Sequence, residues 1–166
     1  MPEEELALTH VNPRGGVQMV DVSPKADTTR TAVATGRVVL GKEAFRLVAE
    51  NKIRKGDVLG TAQIAGIFGA KQTSKLIPLC HDVYVKGVDI EFSLNDADHA
   101  VEIRAYTKTV GPTGVEMEAL TAVSVAALTI YDMCKSVSKA IQITDVHLVA
   151  KTGGQSGDYR KGQANG

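Results

Sequence analysis

One segment of this chain constrains its fold more than any other: residues 119–131 carry no charge, and charged residues flank them at both ends. An α-helix that is apolar on all sides has to be buried. The segment is also shorter than the roughly 20 apolar residues that a membrane-spanning helix needs. The sequence therefore predicts a core helix that packs against other elements, and it predicts no membrane anchor.

The charged residues at the ends of this helix have two interpretations. Asp132 and Lys135 lie three positions apart on one helical face, where they can contact each other and a common ligand. Exposed ion pairs of this spacing are also common and contribute little stability. At the other end, Thr113 and Glu116 fit a capping box, and Glu118 falls in the first turn, where the helix dipole favours a negative charge. Spacing alone leaves both interpretations open.

Composition argues against several classes of protein. The chain has 166 residues, which suits one domain, and its 19 basic residues balance 19 acidic ones. This balance argues against an extended nucleic-acid surface. Cys80 and Cys134 form no CxxC motif, the histidines show no zinc-ligand spacing, and the N-terminus is acidic where a targeting peptide would be basic. We expect a reduced, cytoplasmic protein without a metal site.

Periodicity predicts an α+β fold. Alternating apolar residues indicate strands, and segments with the apolar periodicity of a helix lie between these strands. The order strand, helices, strand, strand, helix, strand matches the ferredoxin-like split βαβ arrangement, an antiparallel four-stranded sheet with helices on one face. The predicted parts are a loosely ordered N-terminal arm (1–27), a ferredoxin-like domain (28–152) with strands at 28–40, 83–94, 100–109 and 143–151, and a Gly-rich flexible tail (153–166).

The uncovered face of such a sheet has a consequence for assembly. We expect it to carry Val83, Val85 and Val88, or the residues that alternate with them. An exposed apolar patch usually marks an interface. The sequence therefore predicts a homo-oligomer.

Basic residues near the ends of predicted elements suggest an anion site. Arg30, Lys55, Lys135 and Lys151 are each ordinary alone, but together they could surround a triphosphate, which Arg binds by bidentate hydrogen bonds and Lys as a point charge. The chain has no GxxxxGK[ST] loop and no GxGxxG motif after a strand. A nucleotide site here would therefore be built from side chains.

Cys80 and His81 lie between an apolar turn and a predicted strand, at a position where sites are often built. A buried cysteine beside a surface histidine is the generic interpretation, because free cysteine behaves mostly as a small apolar residue. Adjacent side chains of an extended segment point to opposite sides, which disfavours a Cys-His nucleophilic pair.

Long blocks of this sequence closely resemble one family. They are residues 71–81, 114–135 and 151–158, with shorter matches at 8–10, 19–23 and 55–58. The family is that of molybdenum cofactor biosynthesis protein C, whose members are cyclic pyranopterin monophosphate synthases. The resemblance covers nearly the whole chain. One departure is Asp82, where the family pattern leads us to expect proline.

The resemblance implies a fold, an assembly and a reaction. Subunits would be ferredoxin-like and would form a hexamer, a trimer of dimers, with sites shared between subunits. The substrate would be 3',8-cyclo-7,8-dihydroguanosine 5'-triphosphate, which derives from GTP, and the products would be cyclic pyranopterin monophosphate and pyrophosphate. The enzyme would be a lyase of molybdopterin synthesis that requires no cofactor, with Mg²⁺ as a candidate companion of the triphosphate.

The resemblance also implies roles for matching residues. Asp132, Lys135 and Lys55 would be catalytic, since positioned lysines and carboxylates suit the proton transfers of a ring rearrangement, and clustered lysines lower one another's pKa. Cations would stabilise the departing pyrophosphate. A nucleotide-binding regulator is the alternative, because fold does not determine function. The implied substrate-binding residues are Leu79, Cys80, His81, Glu116, Met117, Glu118, Arg30, Lys151 and Lys25.

Overall fold

The computed structural model describes residues 10–162. Residues 1–9 of the predicted arm and 163–166 of the predicted tail lie outside the described residues. The elements, in chain order, are β1 (Thr28–Val39), α1 (Lys42–Ala49), α2 (Val58–Lys71), α3 (Thr73–Leu76), β2 (Gly87–Asn95), β3 (Ala100–Gly111), α4 (Glu116–Cys134), β4 (Gln142–Thr152) and β5 (Tyr159–Arg160).

The strands form one antiparallel sheet with the order β2-β3-β1-β4-β5. Strand β3 pairs with both β1 and β2 and separates them, and β1 likewise separates β3 from β4. The four long strands therefore have the split βαβ order, and the predicted α+β fold is confirmed. Strand β5 is a two-residue addition beside β4, within the segment that the sequence assigned to the Gly-rich tail.

Small residues on one face of the central strand let α4 lie close to the sheet. Ala32, Ala34 and Val38 alternate along β1 and are fully buried. Gly36 shares their face, and a β-carbon there would lie 2.6 Å from the side chain of Val123 in α4. Any larger residue at this position would push the helix away from the sheet.

Helix α2 begins at a side-chain cap and packs on α4. The Asp57 side chain accepts a hydrogen bond from the backbone N–H of Gly60 at 3.0 Å, which satisfies one of the free donors of the first turn. A β-carbon at Gly69 would lie 2.8 Å from the side chain of Val125 in α4, so glycine permits the close approach of the two helices. This packing places the loop of residues 52–56 beside the C-terminal end of α4.

The predicted core helix is α4, which contacts β1, β3 and β4 on one side and α2 on another. In the part of the chain that the structure describes, it is the one helix whose length and apolar composition would also suit a membrane span. Its packing against the sheet and α2 accounts for that composition. Its fully buried residues are Ala119, Ala122, Val123, Ala126, Ala127, Ile130 and Cys134.

The strand predicted at 83–94 starts later than expected. Ladder pairing of β2 with β3 begins at Gly87. Before that point, the Tyr84 carbonyl accepts a hydrogen bond from the Thr109 hydroxyl at 2.7 Å. A side chain of β3 thus takes the place of a backbone partner, and the preceding segment stays extended without joining the sheet.

The predicted apolar patch on the uncovered sheet face is wrong. Val83 and Val85 precede β2, and Val88 packs against the core on the helix-covered face. The residues that alternate with Val88 in β2 are polar and exposed, and they include Asp89 and Glu91. The named residues of β2 therefore do not form the expected patch, whereas Tyr106 and Val110 of the neighbouring β3 are exposed apolar residues on that face.

Exposed apolar side chains also lie on the helices. Ile64 and Phe68 on α2 and Leu128 on α4 are all more than half exposed. Since α2 and α4 pack side by side, these residues belong to the helical layer. This helical surface is a further basis for the prediction of a homo-oligomer.

Candidate active site

A carboxylate lies between two lysines at the C-terminal end of α4. The Nζ atom of Lys55 is 3.0 Å from Oδ2 of Asp132, and the Nζ atom of Lys135 is 2.6 Å from Oδ1. Lys55 also donates to the main-chain carbonyl of Asp132 at 2.9 Å. The structure thus brings together the three residues that the resemblance implied as catalytic: Asp132 in α4, Lys135 at its C-cap and Lys55 in the loop before α2.

These contacts determine the charge of the cluster. Hydrogen bonds from Lys135, which has the larger effect, and from Lys55 hold the pKa of Asp132 below its ordinary value. The same bond to Asp132 raises the pKa of Lys135. The expected lowering of a lysine pKa is therefore wrong for Lys135 in the single subunit, because the carboxylate outweighs the neighbouring cation. A neutral base at this position would have to arise when a ligand or a second copy changes the surroundings of the cluster.

A second ion pair lies at the N-terminal end of α4. Lys151 approaches Glu116 at 3.1 Å and donates to the Ser156 hydroxyl at 2.8 Å. The predicted capping box is wrong, since Val115 occupies the N-cap position and no side chain caps the helix. Glu116 contacts Lys151 rather than closing back on Thr113, so its carboxylate belongs to the surface that faces the end of β4.

Arg30 in β1 is nearly fully buried and binds main-chain carbonyls of the turn that precedes this second ion pair. Its Nε donates to the Gly111 carbonyl and one Nη donates to the Pro112 carbonyl, both at 3.0 Å. Among residues 10–162, no carboxylate lies within ion-pair distance of its guanidinium. Its remaining nitrogen lies against Gly154, where a β-carbon would collide with it. The result is a buried positive charge whose carbonyl contacts tie β1 to the turn before α4.

A cavity of about 440 Å³ lies between the N-terminal arm, the segment after α3 and the start of α4. Apolar walls and a few polar groups are typical of small-molecule sites. Six of the predicted substrate-binding residues lie on the wall of this cavity and therefore share one location. They are Leu79, Cys80, His81, Glu116, Met117 and Lys25.

Asp82, the departure from the family pattern, has its own partner. Its Oδ1 accepts a hydrogen bond from the Ser74 hydroxyl in α3 at 3.0 Å. A proline here would restrict the backbone directly. The side-chain bond instead ties the chain after Cys80 and His81 to α3.

Burial shifts the pKa of two groups near the cavity toward the uncharged form. Glu118 is almost completely buried, and burial raises its pKa to about 7, with smaller contributions from Glu116 and Asp82. Burial also raises the pKa of the Cys80 thiol, and the charges of Glu118 and Glu116 add to this effect. Cys80 is therefore a thiol rather than a reactive thiolate, in agreement with the argument against a Cys-His nucleophilic pair.

A second cavity, of about 690 Å³, shares Glu116 and Lys151 with the surface described above. Its wall includes His147, whose Nε2 is 3.0 Å from the Nζ atom of Lys161, and Ser156. Sequence reasoning did not single out these three residues. The register of β1 and β4 shifts near His147, so alternation along β4 could not have predicted where this side chain points.

The two charged clusters cannot meet within one subunit. Glu116 begins the 19-residue α4 and Asp132 lies near its end, so about 24 Å of helix separates them at roughly 1.5 Å per residue. An acid or base must come within about 2.6 to 3.2 Å of the group it serves. A ligand in the 440 Å³ cavity is near Glu116, whereas Asp132, Lys55 and Lys135 lie at the far end.

Fold and site together define a class: an α+β protein with a small-molecule cavity, a buried arginine bonded to main-chain carbonyls and a separate lysine-carboxylate set. Comparison with known families agrees with this class. The model of the MoaC family matches residues 19–154. The chain belongs to the MoaC family.

Curated relatives extend over most of the chain. A cyclic pyranopterin monophosphate synthase from Salinibacter ruber is 67% identical over 153 residues, which cover 92% of this chain and 90% of that protein. One from Heliobacterium modesticaldum is 58% identical and covers 92% and 96%. The mitochondrial cyclic pyranopterin monophosphate synthase of Arabidopsis thaliana is 57% identical over 93% of this chain and 57% of its own length.

Proposed function

We propose that this protein is a cyclic pyranopterin monophosphate synthase of molybdenum cofactor biosynthesis. It would convert 3',8-cyclo-7,8-dihydroguanosine 5'-triphosphate to cyclic pyranopterin monophosphate and release pyrophosphate. The observation that carries the proposal is the Asp132 carboxylate between Lys55 and Lys135, in a chain 67% identical to a synthase of that name. A purely ligand-binding protein has no need of such an acid-base set.

Different parts of the site would act on different parts of the substrate. The heterocycle would occupy the 440 Å³ cavity, where the Cys80 thiol offers a neutral donor and Met117 offers an apolar contact, with Glu118 buried behind the wall. The triphosphate would lie toward Lys151, Lys25 and the buried Arg30, whose charges stabilise the departing pyrophosphate. Lys55, Lys135 and Asp132 would transfer protons during the rearrangement, a contribution of about 10² to 10⁴ in rate.

The proposal requires at least two copies of the chain. Because about 24 Å of helix separates Glu116 from Asp132, one subunit would supply the cavity and another would supply the lysine-carboxylate set. A two-fold interface repeats the same contacts on both partners, so each pair of subunits would contain two such sites. Exposed Ile64, Phe68 and Leu128 on the helical layer support an assembly through that layer. We propose a hexamer, arranged as a trimer of dimers.

The reaction would need no resident cofactor. Lysine and arginine side chains supply the positive charge that the triphosphate requires, and Mg²⁺, which proteins usually bind through substrate phosphates, would act only as a companion of the substrate. Turnover in excess chelator, compared with turnover in added Mg²⁺, tests this proposal. A reduced, cytoplasmic location agrees with the free thiols of Cys80 and Cys134.

The test is to mix purified protein with the cyclised GTP intermediate and to measure pyrophosphate and the pterin product. Pyrophosphate release above a buffer control, matched by cyclic pyranopterin monophosphate in mass spectrometry, is expected. Saturable binding of the intermediate without pyrophosphate release would replace the enzyme by a nucleotide-binding regulator.

A further inference from the structure

We propose that a main-chain carbonyl of the N-terminal arm, that of Val20, sets the tautomer of His81, so that His81 accepts a hydrogen bond from the ligand through Nδ1. The observation is a distance of 2.6 Å between Nε2 of His81 and the carbonyl oxygen of Val20. The contact joins two segments that are far apart in the sequence and that both line the 440 Å³ cavity. It makes the arm part of the site.

The chemistry of the two atoms determines the tautomer. A carbonyl oxygen can only accept a hydrogen bond, so Nε2 of His81 must carry the proton. A neutral imidazole has one donor and one acceptor nitrogen, which leaves the lone pair on Nδ1. Within residues 10–162, Nδ1 of His81 has no hydrogen-bond partner. A half-buried acceptor on a cavity wall is thus left for a ligand.

The surroundings of the ring favour a ligand group that donates. Cys80 next to it is a neutral thiol, and the nearby Glu118 carboxyl, with a pKa raised to about 7, is partly protonated at neutral pH. The thiol and the protonated carboxyl are donors, whereas His81 would be the acceptor. The complementary ligand is a flat heterocycle with both ring N–H groups and acceptor atoms. This identification depends on the proposed function, but the tautomer itself does not.

His147 provides an internal comparison with the opposite arrangement. Its Nδ1 is 2.6 Å from the Asp145 carbonyl, and its Nε2 is 3.0 Å from Nζ of Lys161. The carbonyl therefore requires the proton on Nδ1, and the Lys161 ammonium donates to Nε2. In their neutral forms, the two rings thus have opposite expected tautomers.

The first experiment reads both tautomers in the full-length, ligand-free protein. Histidine is labelled with ¹⁵N, and long-range proton-nitrogen spectra are recorded above the titration range of the rings, with His81→Gln and His147→Gln used to assign signals. The expected result is protonated Nε2 in His81 and protonated Nδ1 in His147. A protonated Nδ1, or a mixture of tautomers, in His81 would overturn the proposal. The measurement needs no turnover, so it is independent of the proposed function.

The second experiment separates the two nitrogens of His81 by substitution. In His81→Asn, the amide oxygen can replace the Nδ1 acceptor but the contact with Val20 is lost. In His81→Gln, the amide nitrogen can keep the contact with Val20 while the acceptor is lost. We expect kcat/KM of the Gln variant to fall about 5- to 150-fold, the cost of an unmatched buried polar group, and that of the Asn variant to fall less. Equal losses, or a larger loss in Asn, would overturn the assignment. A complete lack of turnover in the wild type would instead overturn the proposed function.

Discussion

Lys55 donates two hydrogen bonds to the same residue: one to the Asp132 carboxylate at 3.0 Å and one to its main-chain carbonyl at 2.9 Å. The second bond satisfies a carbonyl in the last turn of α4, where helical partners are missing and a positive charge is favoured. Lys55 is therefore held by the fold itself, before any ligand arrives. This geometry supports a preformed acid-base group rather than a chance surface pair.

Removing any member of this cluster should abolish turnover without preventing assembly. We expect Lys55→Ala, Lys135→Ala and Asp132→Asn each to lower kcat by at least about 10²-fold. Each substitution removes a group that can donate or accept a proton, or the charged partner of such a group. Lys52→Ala is the matched control, since Lys52 lies in the same loop and, within residues 10–162, forms an ion pair only with Glu50. Steady-state pyrophosphate release measures kcat, and light scattering measures assembly. Near-normal rates in all three variants would contradict the assignment.

The buried Glu118 should make stability depend on pH. Its pKa is about 7 in the folded state, against 4.5 for an unperturbed glutamate, so the folded protein keeps a proton that the unfolded chain releases. Stability should therefore fall as pH rises from about 5 to about 7.5, by an amount on the order of 2 to 3 kcal/mol.

The Glu118→Gln variant isolates this effect, because a neutral amide does not titrate. Urea unfolding at both ends of the pH range should show a smaller loss of stability in the variant than in the wild type. The exposed Glu91→Gln in β2 is the control and should retain the wild-type dependence. An unchanged pH dependence in Glu118→Gln would show that Glu118 ionises normally.

The contact between Arg30 and Gly154 can be tested with a pair of glycines. Gly154 and Gly157 both have positive φ, 88° and 70°, so alanine costs each a similar strain of about 1 to 2 kcal/mol. Only at Gly154 would the new methyl group also collide with the Arg30 guanidinium. We expect Gly154→Ala to weaken pyrophosphate binding in calorimetry at least about tenfold more than Gly157→Ala. Equal affinities would remove Arg30 from the anion site.

Much of the fold could be predicted because the determining interactions are local. The alternating pattern of β1, the N-cap Asp57 and the apolar α4 each follow from short-range geometry, and the α+β order of elements followed from them. The predictions that failed depend on distant partners. The Tyr84 carbonyl accepts a hydrogen bond from the Thr109 side chain outside the strand ladder, and Glu116 pairs with Lys151 instead of closing a capping box.

The site shows the same division. The family resemblance, now confirmed, pointed to the lysines around Asp132, whereas spacing alone could not choose between a catalytic pair and a surface pair. The contact of His81 with Val20 was not predicted, because a main-chain carbonyl leaves no signature in the sequence. Interactions of this kind appear only when the chain is folded.

In the proposed assembly, one active site takes Asp132 from one subunit and Lys151 from another. Mixed oligomers of Asp132→Asn and Lys151→Ala, made by co-expression, test this arrangement, because each variant alone should be inactive. If the site is shared, each mixed pair regains one intact site, and random pairing through a two-fold interface restores roughly a quarter of the wild-type rate. Mixed oligomers that remain as inactive as either variant alone would contradict the shared site.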